Sequence, residues 1–386
     1  MKVLLSGGGT AGHVNPALAI ADLIKAHDRN AEIAFVGTKK GIENRLCEKA
    51  GYPVYHIEMK GLKRSLSLSN IKTAYYYFTA PRKAKKLLLE YKPDIVIGTG
   101  GYVCWPLLSA AAKLGIPTAL HESNAIPGKA VRMLADKVDR IYVNFASTMD
   151  YFPDKSKVLF VGNPMMKKST AKIPENIREI LSIPEGTEKI VLSFGGSLGA
   201  MRLNSEIIAL MKNFTSHHRE VFHIHATGSS THEETLAAFR AAGLSVFPNL
   251  RLTEYIYDMP YWERLADAVI CRAGAMTVSE MALQKKACIL IPSPNVVNNH
   301  QYENAKRLAD ADAAILIEEK HLTPDLLEKS LCEILYDGKK AATMRENIAS
   351  FAKPDSNELI WRDIRILLSR DIMTLLESKC FSYSTE

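Results

Sequence analysis

The segment VLLSGGGTAGHVNPALAIADLIKAH (3–27) decides the fold class, because it predicts a strand, a glycine-rich turn and a helix in immediate succession. The apolar run at 3–6 is typical of a buried strand, and the helix is predicted at 16–27. Glycine residues let such a turn be tight and bring backbone N–H groups close to an anion at the helix N-terminus. The segment therefore predicts an α/β unit with an anion-binding turn.

The same alternation of strands and helices extends through the rest of the chain, which indicates parallel sheets built from βαβ units. A polar segment with three prolines at 162–188 interrupts it and predicts a linker. Strands are predicted in the first half at 3–6, 32–37, 94–100, 117–123 and 139–145, and in the second half at 189–196, 220–228, 244–250, 267–274, 287–294 and 313–317.

This organisation predicts an α/β protein with two Rossmann-like domains that face each other across a cleft. We expect an N-terminal domain at 1–163 and a C-terminal domain at 164–352. The remaining segment, 353–386, is predicted to form C-terminal helices that pack back on the N-terminal domain and end in a variable tail.

Composition limits the classes of function. Hydrophobic residues make up 47% of the 386 residues and charged residues 24%, as in ordinary globular proteins. The scattered cysteines form no C-x-x-C pair, so we expect mostly reduced core thiols. The N-terminal apolar run is too short for an export signal and no window is long enough to span a membrane, which predicts a soluble or peripheral protein. The net charge of +7 permits attraction to an anionic surface, although no recognised nucleic-acid-binding motif is present.

A second glycine-rich turn, GGSLGA (195–200), also lies between a predicted strand and a predicted helix. A nicotinamide-binding fold would need an acidic residue at the end of its second strand, but here that strand ends Val36-Gly37-Thr38. A dehydrogenase is therefore disfavoured. Two such turns on facing domains favour a ligand at the carboxyl ends of the strands, although either turn alone could be a simple connection.

A third cluster, CRAGAMTVSE (271–280), places Thr277 and Glu280 one helical turn apart. A carboxylate at 280 can accept two hydrogen bonds from a ribose diol while the helix start faces a phosphate. Alternatively, the two residues form a capping box. Polar groups also follow predicted strands at 121–124 and 298–301, where they either bind a ligand or are merely solvated.

Seven segments occur in the order found in a known family: GGGTAGHVNPALA (7–19), GTGGYVCWP (98–106), HESNAIPG (121–128), VGNP (161–164), GGSLGA (195–200), CRAGAMTVSEMA (271–282) and QYENA (301–305). The chain thereby resembles, over residues 1 to about 320, the N-acetylglucosaminyltransferases of bacterial peptidoglycan synthesis. The resemblance implies a GT-B fold of two Rossmann-like domains. It also implies inverting transfer of N-acetylglucosamine from UDP-N-acetylglucosamine to undecaprenyl-diphospho-muramoylpentapeptide, converting lipid I to lipid II.

The resemblance also implies site residues. It places the acceptor diphosphate at Gly8, Gly9, His13, Gly100, Gly101 and Tyr102. It places the donor at Thr10, Ala11, Gly12, Asn124, Ser197, Ile256, Ala275, Met276, Thr277, Val278, Ser279, Glu280 and Gln301, with Glu280 on the ribose and Gln301 on the sugar hydroxyls. The family commonly has an arginine just after GNP, whereas this chain continues Met165-Met166-Lys167. Lys167 or Arg202 could supply the missing charge, but lysine lacks the forked geometry of arginine.

His13 is the first candidate for the general base, because its reference pKa is near neutral and it adjoins the first glycine turn. Its alternative role is to orient the acceptor diphosphate. Helix N-termini are expected to stabilise the leaving UDP, with no cofactor and no tightly bound metal. The one D-x-D sequence, Asp310-Ala311-Asp312, is predicted to be a solvated turn.

The segment 71–78, which ends in four aromatic residues, precedes clustered cations at 82–86, a combination typical of a peripheral membrane anchor. Spacing alone equally permits an ordinary helix with a buried aromatic stripe and a solvated basic face. The resemblance favours the anchor and implies a peripheral location at the cytoplasmic face of the cell membrane, on its anionic inner leaflet. The rival functions are a UDP-sugar-dependent diacylglycerol glycosyltransferase, a UDP-N-acetylglucosamine 2-epimerase and a non-catalytic nucleotide-sugar-binding subunit. The matches at 121–124 and 301–302 favour the peptidoglycan enzyme.

Overall fold

The computed structural model describes residues 1–59, 69–166, 173–296 and 299–382, and the side chains of all of these except 69–74 and 370–382. The chain divides into two compact units. Unit 1 consists of Met1–Lys167 together with Lys353–Glu386, and unit 2 is Lys168–Ala352. Each unit is built around its own parallel β-sheet.

The sheet of unit 1 has seven strands: β1 (Lys2–Ser6), β2 (Glu32–Gly37), β3 (Val54–His56), β4 (Ile95–Gly98), β5 (Thr118–Glu122), β6 (Arg140–Val143) and β7 (Val158–Phe160). Their order is β3-β2-β1-β4-β5-β6-β7, and all neighbours run parallel. The order reverses between β1 and β4, which is where open α/β sheets bind ligands.

The sheet of unit 2 repeats this plan with six strands: β8 (Lys189–Phe194), β9 (Val221–Ala226), β10 (Leu250–Thr253), β11 (Ala268–Cys271), β12 (Cys288–Leu290) and β13 (Ile315–Leu316). The order is β10-β9-β8-β11-β12-β13, again all parallel. Its reversal lies between β8 and β11. The prediction of an α/β fold with two parallel-sheet domains is therefore confirmed.

Helices cover the faces of both sheets: α1 (Ala11–His27), α2 (Ile42–Lys49), α3 (Ser69–Tyr91), α4 (Cys104–Lys113), α5 (Lys129–Leu134), α6 (Ile177–Ile180), α7 (Met201–Asn213), α8 (His232–Ala241), α9 (Met259–Leu265), α10 (Ala275–Leu283), α11 (His300–Ala309), α12 (Pro324–Leu335), α13 (Gly338–Ala349) and α14 (Ser356–Ser382). Alternate residues of one strand supply opposite faces of a sheet. Leu4 packs in one core cluster of unit 1, whereas Val3 and Leu5 pack in another.

Helix α14 belongs to unit 1 through an apolar stripe and a polar contact. Ile360 and Ile364, both fully buried, join the core cluster that contains Val3 and Leu5. Asp363, on the same helix, accepts a hydrogen bond from the Tyr142 hydroxyl at 2.9 Å and pairs with Arg140 at 3.2 Å. The final helix thereby covers the face of the sheet that α1 also covers.

Some local predictions were wrong. The strand predicted at 244–250 is a 3-10 turn at Leu244–Val246, and strand β10 begins only at Leu250. The short edge strands β3 and β7 were not predicted. Among the described residues, no helix is both long and apolar enough to cross a membrane.

Candidate functional site

Two glycine turns of unit 1 lie in direct contact, because β1 and β4 are neighbours and one turn follows each strand. The amide of Gly8 donates to the Gly100 carbonyl at 3.3 Å, and the Thr99 hydroxyl donates to the His13 carbonyl at 2.6 Å. A Cβ added at Gly101 would lie 2.3 Å from the Gly8 carbonyl oxygen. Since no side chain fits there, glycine at 101 permits the contact between the turns.

His13 is held by the glycine turns in one tautomer. Its Nδ1 lies 3.0 Å from the Gly8 carbonyl oxygen and 3.3 Å from the Thr10 hydroxyl. A carbonyl oxygen can only accept, so Nδ1 carries the hydrogen and Nε2 of the neutral ring has a lone pair. The ring lies against Gly100, where a Cβ would come within 2.5 Å of the His13 Cδ2. This arrangement leaves Nε2 chemically able to accept a proton.

The backbone amides of the first glycine turn and of the helix start that follows it differ in their partners. Those of Gly8 and Gly9 donate to acceptors within the protein, the Gly100 carbonyl and the Glu43 carboxylate. The amides of Ala11 and Gly12 lie in the first turn of α1, where a helix offers them no acceptor of its own. Anion binding at this turn is therefore better suited to the helix start than to Gly8 and Gly9. Tyr102, at the edge of the second turn, is half-exposed.

The segment after β5 is organised by a buried carboxylate. Glu122 accepts hydrogen bonds from the Asn124 amide at 2.9 Å, from the Asn124 side chain at 3.1 Å and from the Gly128 amide at 2.7 Å. His121, also buried, makes a 3.0 Å hydrogen bond to the Gly162 carbonyl, and burial lowers its pKa to about 4. Both side chains shape the loop, and Asn124 is its partly exposed polar group.

In unit 2, the turn after β8 is braced by the turn after β9. Ser229 and Ser230 donate their amides to the carbonyls of Ser197 and Leu198, both at 3.0 Å. Gly199 has a φ of +90°, and a Cβ there would lie 2.1 Å from the Thr231 hydroxyl. The contact leaves Ser197 exposed at the carboxyl end of β8.

Helix α10 begins beside that turn in the sheet, because β11 and β8 are neighbours. Its N-cap is Gly274, without a side-chain cap, so Thr277 lies inside the helix and the capping-box alternative is wrong. Burial raises the pKa of Glu280 to about 7. The pKa of the buried Glu263, on α9, is raised well above its usual range by burial and by the neighbouring charge of Glu280. These two carboxyl groups influence each other's ionisation.

The other predicted donor residues also follow strands of unit 2. Ile256 lies just beyond β10 with its side chain buried, between the exposed Tyr255 and Tyr257. Gln301, in the first turn of α11, accepts the Ser293 amide at 2.9 Å through its carbonyl oxygen. Its amide nitrogen remains the donor end of the side chain.

Two residues, Lys167 and Arg202, were considered as replacements for the arginine that the family has after GNP. Arg202 donates to the Leu322 carbonyl at 2.9 Å and pairs with Glu206 at 3.0 Å, so its guanidinium is already engaged. Lys167 lies outside the described residues.

Asp310 and Asp312 are exposed, as predicted for a solvated turn. Within the described residues, no group of three or more His, Cys, Asp or Glu side chains could hold a metal ion.

Helix α3 has both buried and exposed aromatic side chains, so it combines the buried stripe of an ordinary helix with an exposed aromatic and basic face. Tyr76 and Tyr77 pack on the core, with the Tyr77 ring 5.1 Å from that of Trp105. Tyr75 and Phe78 are instead 62% and 75% exposed. They lie on one face with the exposed cations Arg82, Lys83, Lys85 and Lys86. The side chains of 71–74, none of them aromatic, lie outside the described side chains.

Several residues of the site were not predicted as functional from the sequence. Glu43 accepts the Gly9 amide of the first glycine turn, Thr99 connects the two glycine turns of unit 1, and Asn304 donates to the Ala273 carbonyl at 3.2 Å. Arg272 pairs with Glu319 and donates to the Ile291 carbonyl at 3.1 Å, which fixes the segment before α10. The signal for Thr99, Arg272 and Asn304 was their place inside the quoted motifs; Glu43 lies in none of them.

Comparison with known proteins identifies the class of both units. Residues 3–143 match the glycosyltransferase family 28 N-terminal domain, and residues 190–360 match the family 28 C-terminal domain. The chain is therefore a glycosyltransferase built from the two domains of that class.

Individual relatives narrow the class. A UDP-N-acetylglucosamine–N-acetylmuramyl-(pentapeptide) pyrophosphoryl-undecaprenol N-acetylglucosamine transferase of Acetivibrio thermocellus is 40% identical over 368 residues, covering 95% of this chain and 98% of the relative. The protein of the same name from Bacillus licheniformis is 36% identical, with coverages of 95% and 99%. The crystal structure of Acinetobacter baumannii MurG superposes with a TM-score of 0.72 at 28% identity, covering 94% of this chain and 99% of that one. The chain belongs to the family of these N-acetylglucosamine transferases.

Proposed function

We propose that this protein transfers N-acetylglucosamine from UDP-N-acetylglucosamine to the muramoyl 4-hydroxyl of undecaprenyl-diphospho-muramoylpentapeptide, forming lipid II for peptidoglycan synthesis. The observation that carries the proposal is the 40% identity to a transferase whose name states this donor and acceptor, over 98% of its length. The reaction forms a bond between the acceptor oxygen and the anomeric carbon and breaks the bond from that carbon to UDP. In-line attack inverts the anomeric configuration.

The proposed donor site uses the loops at the β8–β11 reversal. The Glu280 carboxylate would accept two hydrogen bonds from the ribose hydroxyls, and the first-turn amides of α10 would face the diphosphate. Ser197 and Ile256 complete the nucleotide contacts, and the Gln301 amide would donate to the sugar hydroxyls. The exposed Ser197 and the partly buried Glu280 support these roles, because both follow neighbouring strands of one sheet.

The proposed acceptor site uses the paired glycine turns of unit 1. The N-terminus of α1 would bind the acceptor diphosphate through the amides of Ala11 and Gly12, in place of the donor contact that the resemblance implies for these two residues. His13 would take the proton of the attacking hydroxyl at Nε2. The Nδ1 hydrogen bond to Gly8 supports this assignment, since it leaves Nε2 unprotonated in the neutral ring. Helix N-termini would stabilise the departing UDP without a tightly bound metal.

We further propose that α3 attaches the protein peripherally to the anionic inner leaflet at the cytoplasmic face of the cell membrane. The exposed Tyr75 and Phe78 would enter the headgroup layer, and the adjacent cations would contact anionic lipids. This attachment would keep the enzyme beside an acceptor that is itself anchored by its undecaprenyl chain.

The proposal is tested by incubating the protein with radiolabelled UDP-N-acetylglucosamine and a short-chain lipid I analogue. We expect labelled disaccharide on the lipid, and no labelled product when diacylglycerol replaces the analogue or when UDP-glucose is the donor. Release of free sugar or epimerised UDP-sugar, or transfer to diacylglycerol alone, would overturn the proposal. Binding of the donor without any transfer would instead favour a non-catalytic subunit.

A further inference from the structure

A buried carboxylate lies beneath the first glycine turn of unit 1. Glu43, in the first turn of α2, is only 1% exposed. One of its oxygens accepts the amide of Gly9 at 3.2 Å, and the other accepts the Thr38 amide at 2.8 Å and the Thr38 hydroxyl at 3.1 Å. A single side chain therefore joins the turn after β1 to the turn after β2.

The space around this carboxylate is closed by glycines from both turns. A Cβ at Gly41 would lie 2.0 Å from the Glu43 Oε1, and one at Gly37 would lie 2.4 Å from its Cγ. A Cβ at Gly8 would also approach Oε1 to 3.1 Å. Such close backbone approach leaves little freedom for the carboxylate, and it leaves little freedom for the turns that surround it.

The turn after β2 is fixed independently of Glu43. The Asn44 side chain donates to the Thr38 carbonyl at 2.8 Å and to the Gly41 carbonyl at 2.9 Å. Because this turn is braced, it holds the Glu43 carboxylate in place, and the carboxylate in turn positions the Gly9 amide. Three donors converge on the two oxygens of Glu43, so both ends of the side chain must accept hydrogen bonds, which a carboxylate can do and an amide cannot.

We propose that Glu43 is a positioning residue for acceptor recognition: by holding the Gly9 amide, it sets the path of the glycine turn that leads into α1. The inference rests on the proposed function, because it assumes that this turn and the start of α1 receive the acceptor diphosphate. A negative group near that diphosphate would weaken its binding if it were exposed. Here the carboxylate is directed to amides of the protein, so it shapes the turn while remaining apart from solvent.

The test is Glu43→Gln in the full-length protein, with Glu48→Gln as the matched control, since Glu48 is exposed on the same helix. A glutamine keeps the shape but offers N–H groups where one donor must be accepted. We expect KM for the lipid I analogue to rise about tenfold to a hundredfold, in keeping with the loss of charge-assisted hydrogen bonds. The Kd for UDP-N-acetylglucosamine, measured by calorimetry, should stay within about twofold of wild type. Glu48→Gln should change neither.

If the role of Glu43 were only structural, Glu43→Gln would lower kcat because a smaller fraction of the protein is folded, and it would leave the acceptor KM and the donor Kd unchanged. That result would overturn the inference. If Glu43→Gln does not fold, Thr38→Val decides, because it removes only one of the three donors. We expect that variant to raise the acceptor KM by a smaller factor without affecting donor affinity, and an unchanged acceptor KM would again refute the role. If wild type itself transfers no sugar to the analogue, the proposed function fails instead.

Discussion

The raised pKa of Glu280 predicts that donor affinity depends on pH in the neutral range. Burial raises the pKa of this carboxyl group to about 7. In our proposal only the ionised form accepts both ribose hydroxyls, because a protonated carboxyl has a hydrogen where one acceptor is needed. Lowering the pH through 7 should therefore weaken donor binding, and raising it should strengthen binding until Glu280 is fully ionised.

The size of the effect follows from the pKa. With a value of about 7, the ionised fraction is ~0.9 at pH 8 and ~0.1 at pH 6. If the protonated form does not bind, the apparent Kd for the donor rises about tenfold between these two pH values. The buried Glu263 does not reverse the direction, because a negative charge beside Glu280 can only raise the pKa of Glu280.

Isothermal titration calorimetry with UDP-N-acetylglucosamine at pH 6, 7 and 8 measures this directly. A binding measurement is preferable to KM, since the proposed base, His13, acts in turnover and not in donor binding. The diphosphate diester of the donor keeps its charge across the range. Glu280→Gln should abolish the pH dependence and weaken binding at pH 8 by about tenfold or more, while Glu179→Gln, on the surface of the same unit, should behave as wild type.

Two outcomes would refute the reasoning. A wild-type Kd that stays constant within about twofold from pH 6 to pH 8 would show that Glu280 is ionised throughout or does not contact the ribose. A Glu280→Gln variant that keeps the wild-type slope would assign the titration to another group. Circular dichroism at each pH would show that both proteins remain folded.

Three further perturbations test other parts of the site. His13→Gln should lower kcat by about 10²–10⁴ with donor Kd unchanged, and single-turnover rates within twofold of wild type would exclude it as the base. Gly101→Ala should cost about 1–3 kcal/mol of unfolding free energy beyond Gly115→Ala, because both glycines have positive φ but only Gly101 lacks space for a Cβ. Denaturant unfolding measures the difference, and equal losses would contradict the clash. The pair Arg82→Glu and Lys86→Glu should weaken binding to anionic vesicles by about 2 kcal/mol, roughly thirtyfold, with no effect on neutral vesicles; unchanged co-sedimentation would argue against the anchor.

Much of the fold could be predicted because its signals are local. The strands that carry the site are apolar runs followed at once by glycine, as at β1 and β8, and both turns lie at the predicted places. The errors fall where local signals are weak. Strand β3 has only three residues, and the predicted strand at 244–250 contains a proline and an asparagine whose backbone forms a turn before β10 begins.

The interactions within the site could be predicted less well, because they depend on which strands are neighbours. Gly9 and Glu43 are separated by 34 positions, and Thr99 by 86 positions from His13. No periodicity links such residues. The role of Glu280 could not be settled from the sequence either. The Ser/Thr-x-x-Glu spacing permitted a capping box, and only the position of Gly274 as N-cap excludes it.

The two units solve one physical problem in similar ways. In each, a glycine turn at the sheet's reversal must bring backbone amides to a helix start without a side chain intervening, and such a turn has little rigidity of its own. Unit 1 restrains it by contact with the turn after β4 and by Glu43, and unit 2 restrains it with the amides of Ser229 and Ser230. Pre-positioned amides need no reorganisation when an anion arrives, which is the condition for strong electrostatic stabilisation. The residues that brace the turns should therefore affect substrate use even though they contact no substrate.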